Sequence, residues 1–342
     1  MKKGLAKFGA SLVLLLGLAA CSDEGDSGST SKGDAKESYE LKFGMVAGNQ
    51  QNEYKAAEKL AEYVDKESDG RLTIKLFPNS QLGDDRAMLE QVQAGSLDLT
   101  FAETGRFGTW VPRASLMNLP YIVDDFDHAL QAVYETEYGK DLQEEILTDY
   151  NWKIMKTAYN GTRQTTSNRA IESLEDMKGL KLRVPEVDTL LDYAKYTGAS
   201  PTPMAFTEVY LALQTNAVDA QENPLSTINA QKFYEVQEYL ALTNHAVNDA
   251  NYVMSNKKWE SLPEDLQSIL EKGIEEAAEY HTSLFMDEEE TLVSKFEDAG
   301  VTVTKPDLEP FKKAVAEAYP NYLKAIGDEG EQYLQQIQDA NK

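Results

Sequence analysis

Cysteine is nearly absent from this 342-residue chain: Cys21 stands alone, so no disulfide can close within one molecule. Histidine is scarce as well. His128, His245 and His281 lie far apart, without the short spacings that build a metal site. The phosphate loop G-x-x-x-x-G-K-[ST], the dinucleotide fingerprint G-x-G-x-x-G and the nucleophile elbow G-x-S-x-G are all missing. No cofactor and no metal are expected. Carboxylates are plentiful, so composition leaves a two-carboxylate hydrolase standing, but nothing singles out one pair. Bases are outnumbered, with 33 Lys and Arg against 58 Asp and Glu and a net charge of -25. Such a chain opposes nucleic acid and anionic lipid. An anionic ligand would need arginines concentrated in one place.

Long apolar runs are missing too. The run from Phe8 to Ala20 follows Lys2, Lys3 and Lys7. It falls short of the ~20 residues that span a bilayer and has the shape of a signal peptide over residues 1–20. It ends Leu18-Ala19-Ala20-Cys21, which resembles a bacterial lipobox and marks Cys21 for lipidation. The alternative is an ordinary signal peptide with a chance cysteine; that Cys21 is the sole cysteine favours lipid. Residues 21–38 are Ser, Gly, Asp, Glu and Lys without an apolar period, hence a flexible tether. The expected product is a globular body held at the outer face of a membrane.

The stretch Tyr159 to Pro185 organises the remainder. Ser173 with Asp176 three residues on forms a capping box, and Gly179 suits the residue that ends a helix. Leu180, Leu182 and Val184 alternate with Lys181 and Arg183 as a strand, which Pro185 stops. Arg183 therefore lies at a strand's carboxyl end, where open α/β sheets bind ligands. Its guanidinium matches a carboxylate through two parallel hydrogen bonds. Arg163 follows Asn160-Gly161, a turn signal at a change of lobe. Surface ion pairing is the plainer reading for either arginine alone.

Before that stretch the pattern is strand–helix–strand–helix–strand: Tyr39 to Met45, a helix capped by Asn52, Leu72 to Leu76, a helix capped by Asp84, then Leu97 to Phe101. That order makes a parallel sheet. Glu103 and Arg106 follow its third strand. Asp85 and Arg86 fit either a cleft or a helix turn facing water, the latter preferred for Arg86. A single helix is expected over Phe126 to Leu147. After Arg183 the pattern repeats, with Thr207 as a helix cap. Leu213 to Asp219 parallels Val92 to Asp98, with Asn216 in the slot of Gly95, and each strand then runs to a glutamate, Glu103 or Glu222. Two related α/β lobes sharing a cleft follow from this. Pro263 opens a helix that continues to Ala299 and is long enough to back both lobes; the tail adds a short strand and one or two helices.

Several of these segments carry a family likeness. GRLTIKLFPNSQLGDD (70–85), KGLKLRVP (178–185), AFTEVYLALQTNAVDAQENP (205–224) and LPEDLQ (262–267) occur in the order found in substrate-binding proteins of TRAP (tripartite ATP-independent periplasmic) transporters. The likeness runs from Tyr39 to the end. NGTRQTTSNRAI (160–171) most resembles the sialic-acid-binding branch. The resemblance implies a two-lobed periplasmic-binding-protein fold with the ligand cleft between lobes and a long helix across both. Lobe I would hold 39–160 and about 249–288, lobe II 161–248 and about 289–342. It implies a non-enzymatic receptor that delivers an organic acid to the small and large membrane subunits of a sodium-coupled permease. By the same likeness Arg183, Arg163 and Asn223 match contacts to the ligand carboxylate. Glu103, Arg106, Asp85 and Phe206 match contacts to the sugar, and Glu186 stands at a further ligand-binding position. The branch carries asparagine where Val46 and Glu186 stand, and glutamine at Ala250. A site built around a ligand hydroxyl discriminates strongly through such contacts, so a hexuronate, a keto-sugar acid or a C4-dicarboxylate rivals sialic acid as cargo.

Overall fold

Alternating apolar positions place ten strands in a computed structural model, which describes residues 37–341. The leader, Cys21 and all but the last two tether residues lie outside the described residues. The strands are β1 (Tyr39–Gly44), β2 (Leu72–Phe77), β3 (Leu99–Ala102), β4 (Trp152–Ser167) and β5 (Lys181–Val184). They continue with β6 (Ser200–Pro203), β7 (Ala220–Pro224), β8 (Tyr239–Ala241), β9 (Val247–Ser255) and β10 (Thr302–Thr304).

Strands β2, β1 and β3 run parallel, as the βαβαβ order requires. Asp84 caps the helix Asp85–Ala94 by accepting from Ala87 N–H at 2.8 Å. Strand β9 closes this sheet antiparallel to β3 and also pairs with β4. The second lobe repeats the plan: β6, β5 and β7 are parallel, and β4 pairs antiparallel with β7 and β8. The paired slots behave alike. Gly95 has φ +77° and Asn216 φ +56°, both in the left-handed region before a strand.

Three elements are continuous through the divisions expected near 160, 248 and 288: β4, β9 and the helix Glu264–Asp298. That helix has 35 residues, about 52 Å at 1.5 Å each. Its early part packs Leu266, Leu270 and Ile274 into the core with Leu41 and Phe43. Its late part packs Leu292 and Phe296 with Leu213 and Phe233. Backing both lobes is thus a matter of two hydrophobic faces on one helix.

Several local expectations need correction. Asn160-Gly161 is not a turn. It is a bulge inside β4, where the register against β9 shifts between Tyr159 and Thr162. Gly161 has φ +89° there, and a Cβ would lie 2.5 Å from the Pro224 Cβ. The expected helix 126–147 is two, Phe126–Tyr134 and Glu137–Tyr150, because Thr136 caps a new start by accepting from Gly139 N–H at 3.1 Å. Thr207 caps nothing; it sits in a short 3-10 turn, Phe206–Glu208. Asn52 is the first helical residue rather than the cap. The tail carries three helices, Glu309–Ala316, Tyr319–Ile326 and Gly330–Asp339. It also divides: β10 pairs with β8, whereas Tyr333 and Ile337 pack with Tyr138 and Leu142.

Candidate ligand-binding cleft

The carboxyl ends of β1, β3, β5 and β7 open on one cleft of about 820 Å³, with β9 crossing its floor. Each of the eight ligand-contact candidates lines it: Arg183, Arg163, Asn223, Glu103, Arg106, Asp85, Phe206 and Glu186, with Arg163 Nη1 3.7 Å from Glu103 Oε1. Val46 and Ala250 line it as well. Folding therefore gathers side chains that are spread over more than half of the chain.

The arginines are not surface residues; Arg163 and Arg183 are each 2 % exposed. They differ in partnership. Arg163 Nε and Nη2 both donate to the Glu222 carboxylate, Nη2 to Oε1 at 2.7 Å, and Nη2 also reaches the Glu222 carbonyl at 2.9 Å. Glu222 is fully buried and meets His245 Nε2 at 3.0 Å. Burial depresses the His245 pKa, so the neutral ring donates from Nε2, leaving Nδ1 to accept from the Thr243 hydroxyl at 2.9 Å. The ring stacks on Tyr193 with centroids 4.0 Å apart. Burial alone would raise Glu222, but Arg163 and the His245 hydrogen bond outweigh it and hold the carboxylate at about 2. Glu222 was visible only as a strand-terminal acid next to Asn223; its role as the partner of Arg163 was missed.

Arg183 has no such partner. Its Nη2 donates to the Met204 carbonyl at 2.9 Å, its buried Nε meets no acceptor, and no ion pair forms among the described residues. Burial first, with Arg163 and Arg106 adding repulsion, pulls its pKa down to about 10. A ligand carboxylate would relieve that cost with two hydrogen bonds. Asn223 lies beside the pair, its Oδ1 3.4 Å from Arg163 Nη2.

Acids gather around Arg106. Arg106 Nη2 is 3.2 Å from Asp85 Oδ2, so Asp85 faces the cleft rather than water. Arg86 is exposed and paired with Glu90 at 3.2 Å, although it also borders the cleft. Glu103 Oε2 is 3.8 Å from Arg106 Nε. Asp249 accepts from Thr104 N–H at 3.0 Å and so pins the turn that carries Arg106. Glu53, on the first turn of the helix Asn52–Glu67, is pushed up to about 7 by burial and by Glu288 and Glu103. Phe206 is half-buried with its ring edge-on to Phe233, Glu186 is exposed at the rim, and Val46 and Ala250 offer no side-chain hydrogen bond. In all, seven carboxylic side chains and four arginines line the cleft. Among the described residues no cluster of metal-ligating groups occurs, and no helix is long and apolar enough to cross a membrane.

Comparison with known proteins places this geometry. The family model for bacterial extracellular solute-binding protein, family 7 (DctP), matches residues 43–325. The chain is 50% identical over 287 residues to the sialic acid-binding periplasmic protein SiaP of Vibrio cholerae, covering 84% of this chain and 89% of that one. It is 32% identical to the 2,3-diketo-L-gulonate-binding periplasmic protein YiaO of Escherichia coli, covering 83% and 85%. The crystal structure of the sugar acid binding protein DctPAm from Advenella mimigardefordensis, in complex with galactonate, superposes with a TM-score of 0.82 at 30% identity, covering 89% of this chain and 99% of that one.

Proposed function

Because the chain belongs to family 7 of the bacterial extracellular solute-binding proteins and is an extracytoplasmic TRAP receptor for small organic acids, we propose that its cargo is a sugar monocarboxylate, sialic acid first. The carboxylate docks on Arg183, with Arg163 and Asn223 beside it. Glu103, Arg106, Asp85, Phe206 and Glu186 contact the rest of the ligand. The observation that carries this reading is the one buried guanidinium, among the described residues, without a carboxylate partner. Arg163 and Arg106 already have carboxylate charges beside them, Glu222 and Glu103 for the first, Asp85 and Glu103 for the second. With seven acids in the lining, a second ligand carboxylate would meet repulsion where hydroxyl donors meet acceptors. A C4-dicarboxylate is accordingly disfavoured.

The identity to SiaP supports sialic acid. Apolar Val46 and Ala250 support another sugar acid, such as a hexuronate or a keto-sugar acid, since they replace polar contacts implied for sialic acid. Lobe closure about β4, β9 and the long helix buries the bound acid, which is released unchanged to the two membrane subunits of a sodium-coupled permease. Cys21 carries the lipid that tethers the receptor to the membrane.

A thermal-shift screen against N-acetylneuraminate, hexuronates, keto-sugar acids and C4-dicarboxylates tests the assignment. A ligand at 100 times its dissociation constant adds about 2.7 kcal/mol of apparent stability. A sugar monocarboxylate should give the largest shift and be recovered intact. Stabilisation by succinate alone, or by an uncharged sugar, would refute the reading.

A further inference from the structure

Strand β9 presents to the cleft a side chain with no role so far: Asn248. It is 1 % exposed. Its Nδ2 donates to Glu103 Oε1 at 3.1 Å. That contact fixes the amide, because an ionised carboxylate accepts only and must face the NH2. Asn248 Oδ1 therefore points away from Glu103, and it has no donor. Glu103 Oε2 has none either. Arg106 Nε lies 3.8 Å from it, too far for a hydrogen bond, and is itself unpartnered, while Arg163 Nη1 lies 3.7 Å from the other oxygen, Oε1. Two free acceptor oxygens thus flank a single amide–carboxylate contact, one from β9 and one from the end of β3, with a free donor close by. Buried polar atoms are normally satisfied, and an unmet one is costly.

We infer that Asn248 is a ligand-binding residue: Asn248 Oδ1 and Glu103 Oε2 together read two neighbouring hydroxyl donors, a vicinal diol, on the part of the ligand that faces the first lobe. The inference rests on the sugar-acid reading above and adds both a residue and a ligand group to it. A diol fits the arrangement because each hydroxyl donates to one oxygen while one of them accepts from Arg106 Nε. A carboxylate fits badly, since it would set acceptor against acceptor. Asn248 also orients Glu103, so binding must be distinguished from positioning.

Titration calorimetry of the full-length protein with N-acetylneuraminate, D-glucuronate and D-galactonate, and with monodeoxy analogues of whichever binds, makes that distinction. Asn248→Leu should weaken the parent acid at least tenfold. For at least one deoxy analogue, which wild type binds weakly, it should cost less than twofold. Asn248→Ala gives the same comparison should the leucine variant not fold, with melting temperature as the check on folding. Equal losses for the parent and every analogue would show that Asn248 only positions Glu103, and would overturn the inference. So would parent affinity within twofold of wild type. If wild type binds none of the three acids and no keto-sugar acid either, the sugar-acid reading itself has failed, which is a separate result from loss of the Asn248 effect.

Discussion

Replacing Arg183 with methionine should move stability and binding in opposite directions. In the empty cleft the guanidinium is buried, has one hydrogen bond, and has its pKa drawn from 12.5 to about 10. A shift of that size, at 1.36 kcal/mol per unit, is on the order of 3 kcal/mol against the charged form. The sign follows from linkage. The lowered pKa belongs to the folded state, and arginine is charged in both states below pH ~10, so the cost is present in full at neutral pH. Methionine keeps much of the side-chain volume and removes the charge. It also loses the bond to the Met204 carbonyl, about 1 kcal/mol. The ligand-free variant should therefore be more stable by about 2 kcal/mol. Binding should fall by about 3–5 kcal/mol, because the ligand carboxylate would be buried without its cation. That is a rise in Kd of a few hundred- to a few thousand-fold. Urea unfolding without ligand and calorimetry with the sugar acid read the two quantities. Arg183→Lys should also bind poorly, as charge survives but the fork does not. A ligand-free Arg183→Met protein less stable than wild type would refute the reasoning. Affinity within threefold of wild type would do the same.

Glu222→Gln should destabilise the protein by about 3–5 kcal/mol in urea, because it leaves the Arg163 charge buried without its counterion. Glu222 is held at about 2 in the fold, so its stabilisation is present above the ordinary glutamate value and lost as pH falls towards 2; the variant's acid-unfolding curve should be flatter in that window, and an unchanged curve would count against the pairing. Gly161→Ala should cost about 1–3 kcal/mol, since alanine at φ +89° is strained and its methyl meets Pro224; a variant that melts with wild type would show that the bulge relaxes without strain.

Much of this was legible because it is local. The Ser173–Asp176 capping box, Gly179 at φ +72° and the alternation along β5 all lie within twelve residues. Together they put Arg183 at the end of a strand without any tertiary information. Asn160-Gly161 misled for a physical reason. The pair supplies a left-handed residue, which a turn and a bulge both need, and only pairing with β9 decides between them. Glu222 and Asn248 were illegible as site residues for a different reason. Their significance lies in Arg163, 59 positions away, and in Glu103, 145 positions away.

Sequence distance also bears on which arginine meets the ligand. Arg106, Arg163 and Arg183 are equivalent by type and are all buried or half-buried. The acids around them differ. Asp85 and Glu103 flank Arg106, and Glu222 grips Arg163 from the adjoining strand. Beside Arg183, Met204, the residue after β6, offers its carbonyl, a dipole rather than a charge. A dipole cannot neutralise a guanidinium, so an incoming anion gains most at Arg183. Neutralising the other two in advance has a further effect. It keeps Glu103, Asp85 and Glu222 from repelling an anion at Arg183, whereas lining acids without an arginine partner, such as Asp84, Glu186 and Asp188, still oppose a second one. On the proposed reading, selectivity for a single carboxylate would come from the paired charges as much as from the unpaired one.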